Sequence, residues 1–149
     1  LTLLFLGDTD ELLIPKIGNT LGKICQKFTE FDLEFSELGA FPSRRNPRIL
    51  WLGVKDPKPV TALGKAIIQD SGLVSEPEKA QFSPHLTLGR VSEESRGASS
   101  ESLSKLFAKL GNFKAGSTRI REVLLYQSVL KPDGPVYTVL SRHPLKNLC

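Results

Sequence analysis

Two short segments of this chain carry the same three residues, and this repeat constrains the fold more than any other feature. Leu1-Thr2-Leu3 recurs as Leu86-Thr87-Leu88, and His85 stands directly before the second copy. Both copies lie in apolar, strand-like contexts and precede segments that contain a helical pattern. The repeat therefore predicts two similar lobes within one domain.

Periodic apolar residues along the rest of the chain predict the elements of those lobes. Spacings of three and four predict helices over residues 13–28, 60–67 and 103–110, the first capped by Asp10 and the second stopped by Gly72. Apolar or alternating runs predict strands over residues 1–6, 31–36, 49–54, 85–91, 118–130 and 135–142. Residues 39–48 and 92–101 are predicted loops, and 131–134 a turn. These patterns predict a single α+β domain over residues 1–149, with mainly antiparallel sheets.

Composition narrows the cellular setting and the partner. The 149 residues are 40% hydrophobic, with no apolar run long enough to span a membrane and no signal peptide, so we expect a soluble cytoplasmic monomer. Cys25 and Cys149 have neither disulfide-framework nor metal-ligand spacing, which fits a reducing cytosol. A net charge of +4 favours an anionic partner.

The pair His85 and Thr87 has side chains suited to phosphate chemistry. In a strand they share one face, while Leu86 and Leu88 face the other side and anchor it. Imidazole can accept and return a proton near neutral pH, and a threonine hydroxyl can donate a hydrogen bond to a phosphate oxygen. Two such pairs would supply a base for an attacking water and an acid for the leaving oxygen. The alternative is a strand histidine that a neighbour satisfies.

Other residues have weaker indications of function. Arg90 suits phosphate binding, but strict alternation from His85 turns it to the opposite face unless Gly89 forms a bulge. Arg44, Arg45 and Arg48 can contact an RNA backbone or simply be solvated. Phe5 and Trp51 can stack on a base, although their apolar neighbours favour core packing, and His143 is predicted to lie on the surface.

The motifs resemble those of the two-histidine phosphoesterases, in particular the RNA 2',3'-cyclic phosphodiesterases, also called 2'-5' RNA ligases. The family's second motif, F-x-P-H-x-T-L-x-R, is similar to residues 82–90, and its first motif, H-L-T-L-x-F-L-G, is similar to residues 1–7 without the histidine. The segments at 41–54 and 134–140 also resemble the family. The family carries a strand, a helix and a short strand before its first motif, and this chain begins after them.

The resemblance implies a fold of two pseudo-symmetric lobes that flank a central active-site cleft. It implies hydrolysis of RNA 2',3'-cyclic phosphate ends to 2'-phosphomonoesters without a metal or cofactor, and 2'-5' ligation in the reverse sense. His85 would be the general base and a first-motif histidine the general acid, with Thr2 and Thr87 on the phosphate oxygens. Substrate contacts would come from Phe5, Arg44, Arg45 and Arg90, and tRNA fragments are candidate substrates.

Two alternatives remain open from the sequence. One is an RNA-binding module that uses the same cleft without turnover. The other is a phosphodiesterase of the same superfamily that acts on a cyclic nucleotide or on ADP-ribose cyclic phosphate.

We predict that a histidine is encoded directly before Leu1 in a longer parent protein. The chain contains no methionine, and Leu1–Leu6 has the character of a buried strand, so we expect the true start to lie upstream. Without a general acid, turnover should fall by about a hundredfold or more. Sequencing the codon before Leu1 checks this. Any other residue there removes the two-histidine mechanism and favours the binding module.

Overall fold

The computed structural model of the chain is an α+β fold, which confirms the fold class predicted from the sequence. It describes residues 1–73, 82–92, 100–110 and 113–147. Within these ranges lie the helices α1 (Ile14–Cys25), α2 (Lys58–Asp70) and α3 (Ser100–Leu110), with a 3-10 turn at Glu11–Leu13. The strands are β1 (Phe31–Ser43), β2 (Asn46–Val54), β3 (Leu86–Arg90), β4 (Lys114–Ile120), β5 (Glu122–Lys131) and β6 (Gly134–Pro144).

The chain divides into two compact units. The first contains Leu1–Leu3, nearly all of strands β1 to β4, and α3. The second contains α1, the greater part of α2, and strands β5 and β6. Each unit therefore combines a sheet with helix, as the two-lobe prediction requires, whereas a single domain over residues 1–149 stays a prediction.

The first unit is built on a four-stranded sheet in the order β3-β2-β1-β4. Strand β2 is antiparallel to both β1 and β3, which confirms that residues 49–54 form a central strand. One face of this sheet packs against α3, where Phe107 joins a buried cluster with Leu38, Ala40 and Leu52. Leu38 and Leu52 lie directly opposite each other on β1 and β2, so their side chains share that face.

The predicted loop over residues 39–48 is wrong, because most of it forms a β-hairpin. Strand β1 runs on to Ser43 and β2 begins at Asn46, so only Arg44 and Arg45 form the turn. Cross-strand pairing of Ala40 with Leu50 extends the ladder through a segment whose proline content favoured a loop. Long-range pairing overrides local propensity here.

The predicted buried strand over residues 1–6 is also wrong. The segment has no regular secondary structure, and neither sheet in the described part of the chain includes it. Leu1 is 40% exposed and Phe5 is 81% exposed. A strand needs a neighbour for its backbone hydrogen bonds, so an apolar run without one does not form a strand.

The second unit places α1 against strands β6 and β5. Asp10 is predicted to cap the helix, but it caps the 3-10 turn before α1, where its Oδ1 accepts a hydrogen bond from the Leu12 backbone N–H at 2.9 Å. The N-cap of α1 itself is Leu13, which makes no side-chain capping hydrogen bond. Strands β5 and β6 pair antiparallel around the predicted turn at 131–134. The single strand predicted over 118–130 is wrong, because it breaks at Arg121 into β4 and β5, which belong to different sheets. A continuous β pattern does not reveal which sheet each half joins.

The predicted helix after Val60 and its stop at Gly72 are confirmed. Helix α2 ends at Asp70, and Gly72 has φ of +65°, a left-handed conformation that suits glycine. Most of the predicted loop over 92–101 lies outside the described residues. No helix in the described ranges is long and apolar enough to cross a membrane.

His143 is buried, so its predicted surface position is wrong. It is 7% exposed and lies in β6, and its Nε2 is 2.8 Å from the Ser141 hydroxyl oxygen. The ring packs on α1 at Gly18 and Gly22, where a Cβ would come within 3.7 Å of the imidazole. These glycines lie one turn apart on one face of α1, and the ring packs on that face. Burial lowers the pKa of His143 from its ordinary value of 6.5.

Stability should therefore fall as the pH drops below about 6.5. The unfolded chain binds a proton at His143 near that pH, whereas the folded chain resists it, so acid favours unfolding until the lowered folded pKa is reached. Thermal melting of the protein and of His143→Gln at pH 7.5 and pH 5.5 tests this. The melting temperature of the wild type should fall more between the two pH values than that of the variant. Equal falls would show that His143 does not carry this effect.

Candidate active site

His85 lies directly before β3, on the face of the four-stranded sheet opposite α3. Its ring centroid is 5.1 Å from that of Phe41 on β1 and 6.4 Å from that of Trp51 on β2. Trp51 of β2 is paired with Gly39 on β1 and with Thr87 on β3, so these three side-chain positions lie on one side of the sheet. Phe41 lies two residues after Gly39 on β1 and therefore shares that side. We call this surface, defined by Gly39, Phe41, Trp51, His85 and Thr87, the histidine face.

One hydrogen bond sets the protonation pattern of the His85 ring. Its Nδ1 lies 2.7 Å from the Ser83 carbonyl oxygen. A carbonyl oxygen only accepts, so in the neutral ring Nδ1 carries the hydrogen and donates it. The lone pair of Nε2 is then available to accept a proton. This arrangement suits a general base.

Trp51 lies flat across β1 at Gly39. A Cβ built on Gly39 would lie 2.2 Å from Cη2 and from Cζ2 of the indole, closer than any side chain tolerates. Gly39 is therefore required by the tryptophan opposite it. The indole Nε1 is buried and has no hydrogen-bond partner among the residues that the structure describes.

A β-bulge brings Arg90 to the histidine face. Gly89 pairs with Leu50, whereas the next residue of β2, Trp51, pairs with Thr87, so Leu88 is the extra residue of β3. Arg90 pairs with Ile49, which alternates with Trp51 and so shares its face. Thr87 and Arg90 are both exposed. From the sequence, a bulge is proposed at Gly89. The structure places the extra residue one position earlier, at Leu88, and this bulge brings Arg90 to the face that the proposal requires.

The first-motif residues Thr2 and Phe5 belong to different units. Thr2 is exposed and belongs to the first unit, together with His85 and Thr87, whereas Phe5 belongs to the second unit. Core packing predicted for Phe5 is wrong, because this side chain is 81% exposed. The roles of Thr2 and Phe5 in binding substrate stay predictions.

The arginines of the β1–β2 hairpin differ in their contacts. Arg44 donates from Nη2 to the Glu37 carboxylate and to the Leu38 carbonyl oxygen, each at 3.0 Å, and its guanidinium lies 5.6 Å from the Phe107 ring centroid. These contacts hold Arg44 along the hairpin. Arg45 is exposed in the turn, and neither arginine is shown to contact substrate.

The structure adds Gly39 and Phe41 to the residues around His85. The sequence interpretation missed both because they fall in the predicted loop, where no register could be assigned. The alternation of Gly39 with Phe41, set against the alternation of Ile49 with Trp51, was the available signal. In the described part of the chain, no three His, Cys, Asp or Glu side chains are grouped as metal ligands.

Comparisons with known proteins agree on one family and one fold. Residues 1–130 match the family model described as the 2'-5' RNA ligase superfamily. The RNA 2',3'-cyclic phosphodiesterase of Aeropyrum pernix is 34% identical over 145 residues, which cover 94% of this chain and 78% of that protein. The protein of the same name from Methanothermobacter thermautotrophicus is 32% identical over 137 residues, which cover 92% of this chain and 73% of that protein.

Two solved structures show the likeness of fold. The crystal structure of TT0787 from Thermus thermophilus superposes with a TM-score of 0.70 at 23% identity and covers 98% of this chain and 77% of that one. The structure of E. coli LigT complexed with phosphate gives a TM-score of 0.67 at 24% identity, covering 97% and 74%. These likenesses support the α+β architecture.

Replacing Gly39 by alanine should displace the indole of Trp51. The added methyl overlaps the ring, and overpacking of this kind costs roughly 1–3 kcal/mol of folding free energy. Because Trp51 is the only tryptophan, its fluorescence reports the displacement directly. Chemical denaturation followed by that emission measures the loss, and Gly89→Ala, where a Cβ meets nothing within 4 Å, is the control. Equal stability of Gly39→Ala and the wild type would contradict the packing described here.

Proposed function

Because this chain belongs to the 2'-5' RNA ligase superfamily, we propose that it hydrolyses RNA 2',3'-cyclic phosphate ends to 2'-phosphomonoesters, with His85 as the general base. The observation that carries the proposal is the geometry of His85. Its Nδ1 is committed to Ser83 at 2.7 Å, which leaves Nε2 to accept a proton on a face shared with Thr87 and Arg90. Two relatives more than 30% identical over most of this chain bear the name RNA 2',3'-cyclic phosphodiesterase, which supports a hydrolase of this kind.

The base acts on the attacking water. Nε2 of His85 removes a proton as the water oxygen bonds to phosphorus, and the bond from phosphorus to the ribose 3' oxygen breaks. The ring opens and the phosphate stays on the 2' oxygen. The departing 3' oxygen takes a proton, which we assign to the histidine predicted directly before Leu1. When the 5'-hydroxyl of a second RNA end takes the place of the water, its oxygen bonds to the same phosphorus, the bond to the 3' oxygen breaks and that oxygen takes the proton, which gives a 2'-5' linkage.

Two side chains beside His85 suit the charge that develops on the phosphate. The Thr87 hydroxyl can donate one hydrogen bond to a phosphoryl oxygen, and the Arg90 guanidinium can donate two in parallel. The bulge at Leu88 supports this assignment, because it puts both exposed side chains on the histidine face. Thr2 would hold a further phosphate oxygen, and Phe5 and Arg45 would contact the RNA. The sequence also proposes Arg44 for this role, but its guanidinium lies against Phe107 on the α3 side of the sheet, away from the histidine face.

Two imidazoles handle both protons in this scheme, so the reaction needs no metal ion or cofactor. The proposed substrates are RNAs with 2',3'-cyclic phosphate termini, such as tRNA fragments. We propose that the protein acts on them as a cytoplasmic monomer.

An oligonucleotide that ends in a 2',3'-cyclic phosphate tests the function. Incubated in EDTA with the intact parent protein, which includes the histidine predicted before Leu1, it should convert to the 2'-phosphomonoester, which phosphorus NMR distinguishes from the 3' isomer. Tight binding of the oligonucleotide without product would contradict the enzyme hypothesis and favour the RNA-binding module. Turnover restricted to a cyclic nucleotide or to ADP-ribose cyclic phosphate would establish the other phosphodiesterase instead.

Substitution of His85 separates the base from the rest of the site. In the intact parent protein, His85→Ala should lower turnover by roughly a hundredfold or more, the usual contribution of general acid–base catalysis, while the melting temperature changes little. Thr87→Val should weaken phosphate binding more mildly, since a neutral hydrogen bond contributes about 0.5–1.5 kcal/mol. Added imidazole should restore part of the lost activity of His85→Ala. A folded His85→Ala protein with full activity would remove His85 from the reaction.

A further inference from the structure

We infer that Phe41 and Trp51 are positioning residues that hold the His85 ring in the orientation in which Nδ1 donates to Ser83 and Nε2 is left to act as base. The inference rests on the proposed function, since it assigns these two aromatic side chains a part in the same reaction. Neither is placed to exchange a proton with substrate. Their effect passes through His85.

The ring of His85 needs such support because of where it stands. It lies one residue before β3 begins, so the ladder between β2 and β3 does not fix its backbone directly. A half-turn about the bond to the ring would put Cδ2 where Nδ1 lies and Cε1 where Nε2 lies, so it would break the Ser83 hydrogen bond and turn Nε2 away. A single hydrogen bond to a carbonyl oxygen opposes that rotation. In a free histidine side chain the neutral ring prefers its hydrogen on Nε2, which is the wrong tautomer for the base proposed here.

The two aromatic rings bound His85 from two directions. Its plane makes an angle of 86° with Phe41 at 5.1 Å, and of 61° with Trp51 at 6.4 Å. Edge-to-face contacts at these separations are favourable for aromatic rings. Tilting the imidazole out of this plane would weaken both contacts and the Ser83 hydrogen bond. The two aromatic rings therefore fix the plane of the imidazole, and within that plane the Ser83 hydrogen bond selects the orientation with Nδ1 toward the carbonyl oxygen.

The aromatic pair is itself held in place by the sheet. Phe41 and Trp51 lie 5.3 Å apart, with their planes inclined by 37°. The indole rests over Gly39, and a Cβ on Gly53 would lie 3.3 Å from its Cζ3, so glycines on two strands leave the space in which it lies flat. Because the backbone of two strands supports Phe41 and Trp51, these two side chains can restrain the His85 ring that packs against them.

The indole is retained in spite of an unfavourable polar group. Its buried Nε1 has no hydrogen-bond partner among the described residues, and an unsatisfied buried donor costs stability. A phenylalanine would avoid that cost, but its single ring has less area with which to cover Gly39 and contact His85 together. The reach of the double ring accounts for a tryptophan at this position.

Nitrogen-15 NMR of labelled histidine tests the orientation without any substrate. The chain has two histidines, and the spectrum of His143→Gln assigns the signals of His85. In the wild type the nitrogen-15 chemical shifts of the neutral His85 ring should be those of the tautomer that carries its hydrogen on Nδ1. In Phe41→Leu and Trp51→Leu a substantial fraction should move to the Nε2–H tautomer, and Trp51→Phe, which keeps an aromatic edge, should fall between.

Kinetics on the cyclic-phosphate oligonucleotide supplies the second readout. Misplacing a catalytic group by about 1 Å costs on the order of a hundredfold, so kcat should fall by roughly 10- to 100-fold in Phe41→Leu and Trp51→Leu. KM should change little, because ground-state binding of the substrate does not involve the orientation of His85. Leu50→Val is the matched control. It lies on the opposite face of β2, where it packs on the core cluster, and should lower the melting temperature but retain kcat.

Each result bears on one of the two proposals. A His85 tautomer that is unchanged in Phe41→Leu and in Trp51→Phe overturns the positioning role even if Trp51→Leu does not fold. A loss of kcat in Leu50→Val equal to that in Phe41→Leu overturns it too, since stability alone would then explain the effect. If the wild type hydrolyses no cyclic phosphate, the proposed function fails, whereas a tautomer shift still supports the aromatic control of His85.

Discussion

Strand β2 is the element on which the described site depends, because each of its faces serves a different purpose. Leu50 and Leu52 point to the side where α3 packs, and Trp51 points to the side where His85 lies. Pairing with β1 and β3 on both edges holds the strand in one register. A slip by one residue would exchange the two faces, since side chains alternate along a strand. Core packing and site geometry are thus set by the same ladder.

The bulge at Leu88 allows Thr87 and Arg90 to share one face of the sheet, which a regular strand would not permit. Thr87 and Arg90 are three residues apart, and regular alternation turns such residues to opposite faces. One extra residue in β3 restores a common face at the expense of leaving the Leu88 side chain 54% exposed. Bulges recur beside active sites for this reason. An exposed apolar side chain within the motif is a sign of that geometry.

The two histidines of the chain occupy contrasting environments. His85 is partly exposed and held by a backbone carbonyl and two aromatic rings, whereas His143 is buried on α1 with a serine hydroxyl as its partner. Burial lowers the pKa of His143 and so favours its neutral form, which suits a packing role. In the sequence the two histidines look alike, because each has a serine or threonine two residues away. Only their tertiary contacts distinguish the partly exposed His85 from the buried His143.

Much of this protein follows from the sequence by itself. The periodicity of apolar residues located the three helices and the central strand, and the motif around His85 with its repeat of Leu-Thr-Leu predicted the family. These signals are local, because helix and strand periods and short motifs are complete within a few residues. They identified His85, Thr87 and Arg90 as candidates without showing how the three side chains are arranged.

Only the tertiary structure decided the arrangement around those residues. The hairpin that brings Gly39 and Phe41 to Trp51 depends on pairing between strands whose connecting residues favour a loop. The strand predicted over residues 1–6 did not form, because an apolar pattern alone does not provide a neighbouring strand. His143 became a core residue because its ring packs on a face of the distant helix α1, at Gly18 and Gly22. In each case the deciding contact joins residues far apart in the chain, and no local pattern contains that information.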